Sequence, residues 1–275
     1  MNKLFLEDLL KSYLLEDIYY ADVTTESICK GLKAKALIRV KQDFIVAGLV
    51  FIKPIFDVLK EEVLIDFYAQ DGQFVKNTSV VAVIEAKDTT LLQAERLILN
   101  IIGRLSGIAT KTHYFSQLIK DYKAKIVETR KTTPGFRYFE KYAVLVGGGL
   151  NHRIGLFDAI LIKDNHIKVA GSITKAVELA RKTNFMKKIE VETSNFEEVK
   201  EAVLAKADVI MLDNMDIDTM RLCISTFQDK ALFEASGNID ENNIVEVAKT
   251  GVDFISSGSI IHHAVWVDVN MKIGV

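Results

Sequence analysis

Two rhythms of hydrophobic and polar positions divide this chain. As far as about residue 87 the signal is mixed. In AKALIRVKQDFIVAGL, apolar positions alternate near period two around Ile38 and Val40, and Gln42-Asp43 offers a turn. VVAVIEA, from Val80 to Ala86, is a further β-rich run, whereas Phe51 to Leu59 carries helical spacing. The segment DTTLLQAERLILNIIGRLSGIATKTHYFSQLI then opens on Asp88 or Thr89 as a cap and keeps apolar residues three and four apart. It predicts one long helix, or two that meet near Ser106-Gly107. This part of the chain predicts a small α+β unit.

After Tyr122 short β-branched runs recur, each closing on polar residues: KIVETRK, AILIKDN, KIEVETS, DVIMLDN, ALFEASGN and DFISSGS. Helix-like SITKAVELARKT, NFEEVKEAVLA and NIVEVAKTG lie between most of them. Strands alternating with helices predict a parallel sheet, and six or more such units predict closure into a barrel. AVLVGGG is a candidate seventh strand; no eighth is readable. Chemistry in such barrels sits at the C-terminal strand ends. Those ends here carry Arg130-Lys131, Lys163-Asp164, Glu190 and Glu192, Asp213-Asn214, Glu234 with Ser236-Gly237, and Ser257-Gly258.

Composition narrows the classes. At 275 residues and 49% hydrophobic content the chain can bury a substantial core in one or two domains. MNKLFLEDLLKSYLLEDIYY carries acids throughout and lacks the basic start and apolar core of a secretory signal. Even LILNIIGRLSGIA is interrupted by Arg104, so no span of a membrane is predicted. Cys29 and Cys223 give neither a disulfide framework nor metal spacing. A cytoplasmic location is expected. Against a formal net charge of −2, the cations Arg130, Lys131, Arg137, His152, Arg153 and Lys163 crowd between residues 128 and 166. That contrast predicts a pocket for a small polyanion and argues against nucleic acid, which calls for a broad basic face.

Each constellation has a plainer alternative. The cations suit carboxylate or phosphate, but they could instead form a salt network with Glu128, Glu192 and Asp213. Gly147-Gly148-Gly149 could bring backbone amides to an anion, yet a tight strand-to-loop turn explains the three glycines alone. Nucleotide-binding glycine motifs are absent. Ser257-Gly258-Ser259 closes a late strand, where barrels bind phosphate. Glu192 and Asp213 could hold sugar hydroxyls, a magnesium ion or the lysines. Lys163, in ILIKD, also suits a Schiff-base aldolase, whose lysine sheds its proton more easily in apolar surroundings.

TRKTTPG at 129–135, EKYAVLVGGGLNHRIGL at 140–156 and ILIKDNHI at 160–167 closely resemble quinolinate phosphoribosyltransferases. DVTT, AERLILNIIGRLSGIAT, IEVET, VIMLDN, EASGNI and DFISSGSIIH follow in family order, so the resemblance covers almost the whole chain. It implies an α/β fold: an N-terminal open α/β sandwich at 1–107, to which 265–275 returns, and an incomplete, about seven-stranded TIM-like barrel at 108–264. It implies a homodimer with shared active sites, which could assemble further into a hexamer. The implied reaction joins quinolinate to phosphoribosyl pyrophosphate with magnesium and no organic cofactor, giving nicotinate mononucleotide, pyrophosphate and carbon dioxide.

By the same resemblance Lys131, Glu192 and Asp213 are the catalytic residues. Lys131 sits near the reacting centre, and Glu192 and Asp213 bind ribose hydroxyls or magnesium. Thr129, Arg130, His152, Arg153 and Lys163, with Arg96 from the partner subunit, bind substrate. Ser236, Gly237 and Asn238 with Ser257, Gly258 and Ser259 receive the 5′-phosphate. Leu150, Ala21, Ile261 and His263 depart from residues usual in the family, which touches the rim of the phosphate site and not the reaction. A ModD-like homologue from molybdenum transport operons shares the RKTxPG and HR signatures, but KDNHI and the complete acid and cation set favour quinolinate. A sensor that binds quinolinate without releasing pyrophosphate is a further alternative.

Overall fold

A computed structural model describes residues 2–274. The chain divides into two compact units, Met1–Thr110 together with Ala264–Val275, and Lys111–His263.

The first unit opens on the helix Lys3–Ile18. Asn2 caps it, its side chain accepting from Leu4 N–H at 3.0 Å and Phe5 N–H at 3.4 Å. Leu6, Leu10 and Leu14, four apart, are its buried stripe. Five strands follow: β1 (Lys33–Val40), β2 (Phe44–Ile45), β3 (Leu64–Phe67), β4 (Phe74–Val75) and β5 (Val80–Lys87). An antiparallel sheet runs in the order Val269–Gly274, β1, β5, β3. The period-two pattern is real, since Ala36, Ile38 and Val40 are all fully buried. The chain bends after β1, but β2 does not fold back on it; β2 pairs with β4 in a separate two-stranded sheet. The helical run after residue 50 forms a 3-10 turn, Leu49–Phe51, and a helix, Ile52–Val58.

The capped segment forms one unbroken helix, Asp88–Leu118, with no division at Ser106-Gly107. Gly107 is there for a different reason. A β-carbon at that position would collide with the backbone of Val265.

The second unit carries β6 (Lys125–Val127), β7 (Ile160–Ile162), β8 (Ile189–Thr193), β9 (Val209–Asp213), β10 (Leu232–Ser236) and β11 (Phe254–Ser256). All are parallel, in the order β6-β11-β10-β9-β8-β7. Helices Ile173–Thr183, Phe196–Leu204 and Ile217–Phe227 lie between strands. Ser172, Asn195 and Asp216 cap them, each accepting the N–H three residues on at 3.1, 3.0 and 2.9 Å.

AVLVGGG is not a seventh strand. Ala143 to Val146 end the helix Arg137–Val146, in which Phe139, Ala143 and Val144 are buried at helical spacing. Leu150 makes only a single parallel bridge to Val127, so the sheet has six strands and β6 and β7 remain its ends. The glycines close the turn after the helix. A side chain at Gly149 would press on Val144 and Thr112.

Candidate active site

Within the second unit the strand ends surround a cavity of about 900 Å³. Side chains two apart on a strand share a face. Leu161 and Lys163, Met211 and Asp213, and Glu234 and Ser236 line the cavity in such pairs, with Glu192 and Ser256 beside them.

Three segments bring in the cations. Thr129, Arg130 and Lys131 follow β6, His152 and Arg153 precede β7, and Lys163 follows it; all six line the cavity. Thr129 Oγ1 accepts the Lys131 N–H at 3.1 Å. Arg153 donates from Nη1 to the carbonyl of Ala159 at 3.1 Å. Burial and the neighbouring Arg130 push the Arg153 guanidinium down from its ordinary value. Lys163 does pair with an acid, its Nζ lying 2.5 Å from Glu192 Oε2. Arg137 stands apart from the cavity: it ties two loops by donating to Thr132 Oγ1 at 2.9 Å and to the Ile154 carbonyl at 3.1 Å. The glycines 147–149 do not line the cavity either, leaving them a turn.

The opposite wall is built from small polar groups. Asn214, Gly237 and Asn238 all have positive φ, at 52°, 98° and 50°. Asn214 N–H donates to the Ser236 carbonyl at 2.9 Å, and Asn238 Nδ2 donates to Asn214 Oδ1 at 3.1 Å. Ser257 Oγ donates to the Ile239 carbonyl at 2.8 Å and lies 2.7 Å from Ser259 Oγ. Gly258 leaves little room, because a β-carbon would crowd His262 and Lys131. His262 and His263 also line this wall, and burial followed by the positive field of His263 and Lys131 pushes His262 down.

Glu192 and Asp213 meet the cavity from neighbouring strands. Asp213 Oδ2 accepts from Asn214 Nδ2 at 2.8 Å. Two carboxylates at the mouth, with oxygens still able to accept, fit a hard divalent cation whose other ligands come from a phosphorylated substrate.

A charged layer forms the floor of the cavity: the strand-end pattern placed Glu190 and Glu234 at the mouth and the resemblance placed His152 there, but Glu128 and Lys141 were assigned to the site by neither. Glu128 is fully buried and ion-paired to Lys141, itself 3% exposed in its side chain. Glu128 Oε1 also accepts the His152 N–H at 2.8 Å, and Lys141 donates to the His152 carbonyl at 2.9 Å. His152 Nε2 lies 2.9 Å from Glu190 Oε2 and 3.7 Å from Glu234 Oε2. Its Nδ1 accepts the Arg153 N–H at 2.8 Å. The ligand atoms of His152, Glu190 and Glu234 lie within 4.8 Å of one another, and the ring already serves Glu190. Burial and then the charge of Glu190 push Glu234 up to about 8. Burial alone would lower His152, but its hydrogen bond to Glu190 and the surrounding acids turn it upward.

A sequence signal for part of this layer exists. Glu190 and Glu234 lie two residues before Glu192 and Ser236, on the same strand face. Glu128 and Lys141 carry no such mark. Arg96 lies on the helix Asp88–Leu118 in the first unit, where its side chain is exposed.

Known proteins match along the whole chain. The family profile "Quinolinate phosphoribosyl transferase, N-terminal domain" matches residues 22–106, and the corresponding C-terminal domain profile matches residues 108–272. A probable nicotinate-nucleotide pyrophosphorylase (carboxylating) of Synechocystis is 43% identical over 268 residues, 96% of this chain and 91% of the relative. Its counterpart in Bacillus subtilis is 42% identical, across 99% of this chain and 95% of its own. Among solved structures, the nicotinate-nucleotide pyrophosphorylase from Francisella tularensis superposes with a TM-score of 0.93 at 41% identity, covering 100% of this chain and 98% of that one. NadC from Streptococcus pyogenes gives 0.94 at 37% identity with the same coverage. The chain belongs to the quinolinate phosphoribosyl transferase family.

Proposed function

We propose that this protein is a nicotinate-nucleotide pyrophosphorylase (carboxylating): it transfers the phosphoribosyl group of phosphoribosyl pyrophosphate to quinolinate, with loss of carbon dioxide, in the de novo synthesis of NAD. The observation that carries the reading is the crowding of Arg130, Lys131, Arg153 and Lys163 around one cavity whose opposite wall is a serine- and glycine-lined turn. A pyridine dicarboxylate and a donor bearing a monophosphate and a pyrophosphate need that many fixed cations. Lys163 is ion-paired to Glu192 and 46% exposed in its side chain, not enclosed in the apolar pocket that suits a Schiff-base lysine.

Arg130, Arg153 and Lys163, with Thr129 and His152 beside them, hold the quinolinate carboxylates and orient the ring. Ser236, Gly237 and Asn238 with Ser257, Gly258 and Ser259 receive the 5′-phosphate, where turn amides and hydroxyls serve as donors. Glu192 and Asp213 hold the ribose hydroxyls or the magnesium that accompanies the donor. When bound, that ion would neutralise charge on the departing pyrophosphate. The ring nitrogen attacks the anomeric carbon through an oxocarbenium-like state. Lys131 stabilises the leaving anion, and fixed orientation supplies much of the rest. The quaternised nitrogen then stabilises the electron pair left on the ring carbon as the adjacent carboxylate departs as carbon dioxide, and a proton from solvent takes its place.

The N-terminal unit and the barrel act as separate functional domains in this reading. Two subunits share their sites, each lending Arg96 to the other's barrel, and such dimers can assemble further into hexamers. No helix among the described residues is long and apolar enough to cross a membrane; in this reading the enzyme works in the cytoplasm. Incubation with quinolinate, donor and magnesium tests the reading. Nicotinate mononucleotide should form, and nicotinate offered in place of quinolinate should not be converted. Turnover of nicotinate at the same rate would remove the demand for a second carboxylate.

A further inference from the structure

Two glutamates meet at the floor of the cavity, Glu234 lining it and Glu190 behind, with one histidine N–H between them. Glu190 takes it, at 2.9 Å, whereas Glu234 is left at 3.7 Å, too far for a hydrogen bond. Glu234 is 3% exposed and its Oε1 has no hydrogen-bond partner. An ionised carboxylate buried in that state, next to a second carboxylate, is costly. A proton can relieve the cost on the free ring nitrogen of His152 or on either carboxylate, and of the two carboxylates Glu190 already holds the ring N–H at 2.9 Å, which leaves Glu234 the one without that stabilisation. Nδ1 of His152 is already occupied as an acceptor for the Arg153 N–H at 2.8 Å, so protonating it would break the turn that presents Arg153.

We infer that Glu234 carries a proton while the site is working, and that this proton is what lets the cavity floor accept a doubly negative substrate. The inference rests on the reading of quinolinate as substrate. Glu234 lines the cavity along with His152, Arg153 and Lys163. An ionised Glu234 would set a second buried negative charge beside Glu190, under the ring carboxylates. The groups that surround it are Glu190 from β8, Glu128 from β6 with Lys141 from the helix Arg137–Val146 behind it, His152 and Arg153 from the loop before β7, and the neutral Ser256 hydroxyl from β11. Lys141 is engaged with Glu128, and His152 is neutral while its Nδ1 accepts, which leaves Arg153 alone against the two charges of an ionised Glu190–Glu234 pair. Glu234 is pushed up to about 8, and although the same acids push His152 upward, the Arg153 N–H seated on its Nδ1 opposes a proton there.

Glu234 therefore acts as a specificity-determining residue through its charge, and the consequence is a pH profile in binding. Both carboxyls of quinolinate stay ionised from pH 7 to pH 9, so the ligand contributes no slope there. Calorimetric titration of quinolinate into the intact protein should show affinity falling about tenfold over that interval, as the proton is lost. Glu234→Gln, which keeps the shape and removes the titration, should bind with no such slope. Infrared spectroscopy of the ligand-free parent gives a second, independent readout: the carbonyl band of a protonated carboxyl should be present at pH 7, fade towards pH 9 and be missing in Glu234→Gln. An unchanged slope in Glu234→Gln, or a parent with neither slope nor band, overturns the inference. Absence of any quinolinate binding by the parent would instead count against the proposed function, and the infrared band alone would then decide where the proton lies; should Glu234→Gln not fold, the fading of the parent's band decides it.

Discussion

Glu128 and Lys141 grip the His152 peptide from its two ends: Glu128 accepts its N–H at 2.8 Å, Lys141 donates to its carbonyl at 2.9 Å, and the two are ion-paired with each other. Burial pushes Glu128 up and Lys141 down, and their mutual attraction opposes both shifts. Such a pair holds geometry better than it adds stability, yet breaking one side strands a buried charge. Lys141→Met should therefore cost roughly 3–5 kcal/mol in denaturant unfolding. Glu128→Gln combined with Lys141→Met should recover a large part of that loss. Equal cost in the single and double variants would show that the pair is not the cause.

Lys131 lines the cavity between the Arg130 side and Gly258. In the proposed reaction it meets charge that develops only as pyrophosphate departs. Lys131→Ala should lower turnover by about 10²–10³-fold, the usual loss for one preorganised stabilising group, with little change in the KM for quinolinate. Steady-state kinetics with both substrates varied would check this. Normal turnover in the variant would remove the proposed role.

The alternation of apolar strands with polar ends was enough to read the second unit as a parallel α/β sheet and to gather Arg130 and Lys163 near one mouth; Arg153 came in through the crowding of cations between residues 128 and 166 and the family resemblance. All three do line one cavity. AVLVGGG misled because a short Val- and Leu-rich run fits a buried strand and a buried helix face equally well; Phe139 and Ala143, four apart, were the helical signal. β3 escaped notice because all four of its residues are at least partly exposed, which leaves no clear alternation. The pairing of Glu128 with Lys141 joins a strand end to a helix thirteen residues on. Nothing local in the chain announces it.

Gly237 sits at φ 98°, and a β-carbon there would overlap the side chain of Asn214. Gly237→Ala should strain the turn by about 1–3 kcal/mol and displace Asn214 from Asn238. The expected signature is a rise in the KM for phosphoribosyl pyrophosphate that exceeds any rise for quinolinate. A larger change for quinolinate would move the phosphate site elsewhere.

Asp208 locks β8 to β9. Its Oδ2 accepts the Ile189 N–H at 2.9 Å, and Lys188 and Arg181 lie at 3.3 and 3.4 Å from its carboxylate. Burial works to raise this carboxyl, but the hydrogen bonds and the two cations win and hold it below its ordinary value. A carboxyl depressed by folding stabilises above its unfolded pKa of about 3.9 and stops doing so as pH falls through the lower folded value. Asp208→Asn should cost about 1–2 kcal/mol at pH 7, and the gap between variant and parent should close below about pH 4. Thermal unfolding across that range checks the sign; a gap that widens on acidification would refute it.

Quinolinate labelled with carbon-14 in the 2-carboxyl group, mixed with excess enzyme, donor and magnesium for a single turnover, addresses the central claim most directly. One labelled carbon dioxide should be released for each pyrophosphate, leaving unlabelled nicotinate mononucleotide. Pyrophosphate released with the label retained on the pyridine, or quinolinate bound with neither product formed, would contradict the account.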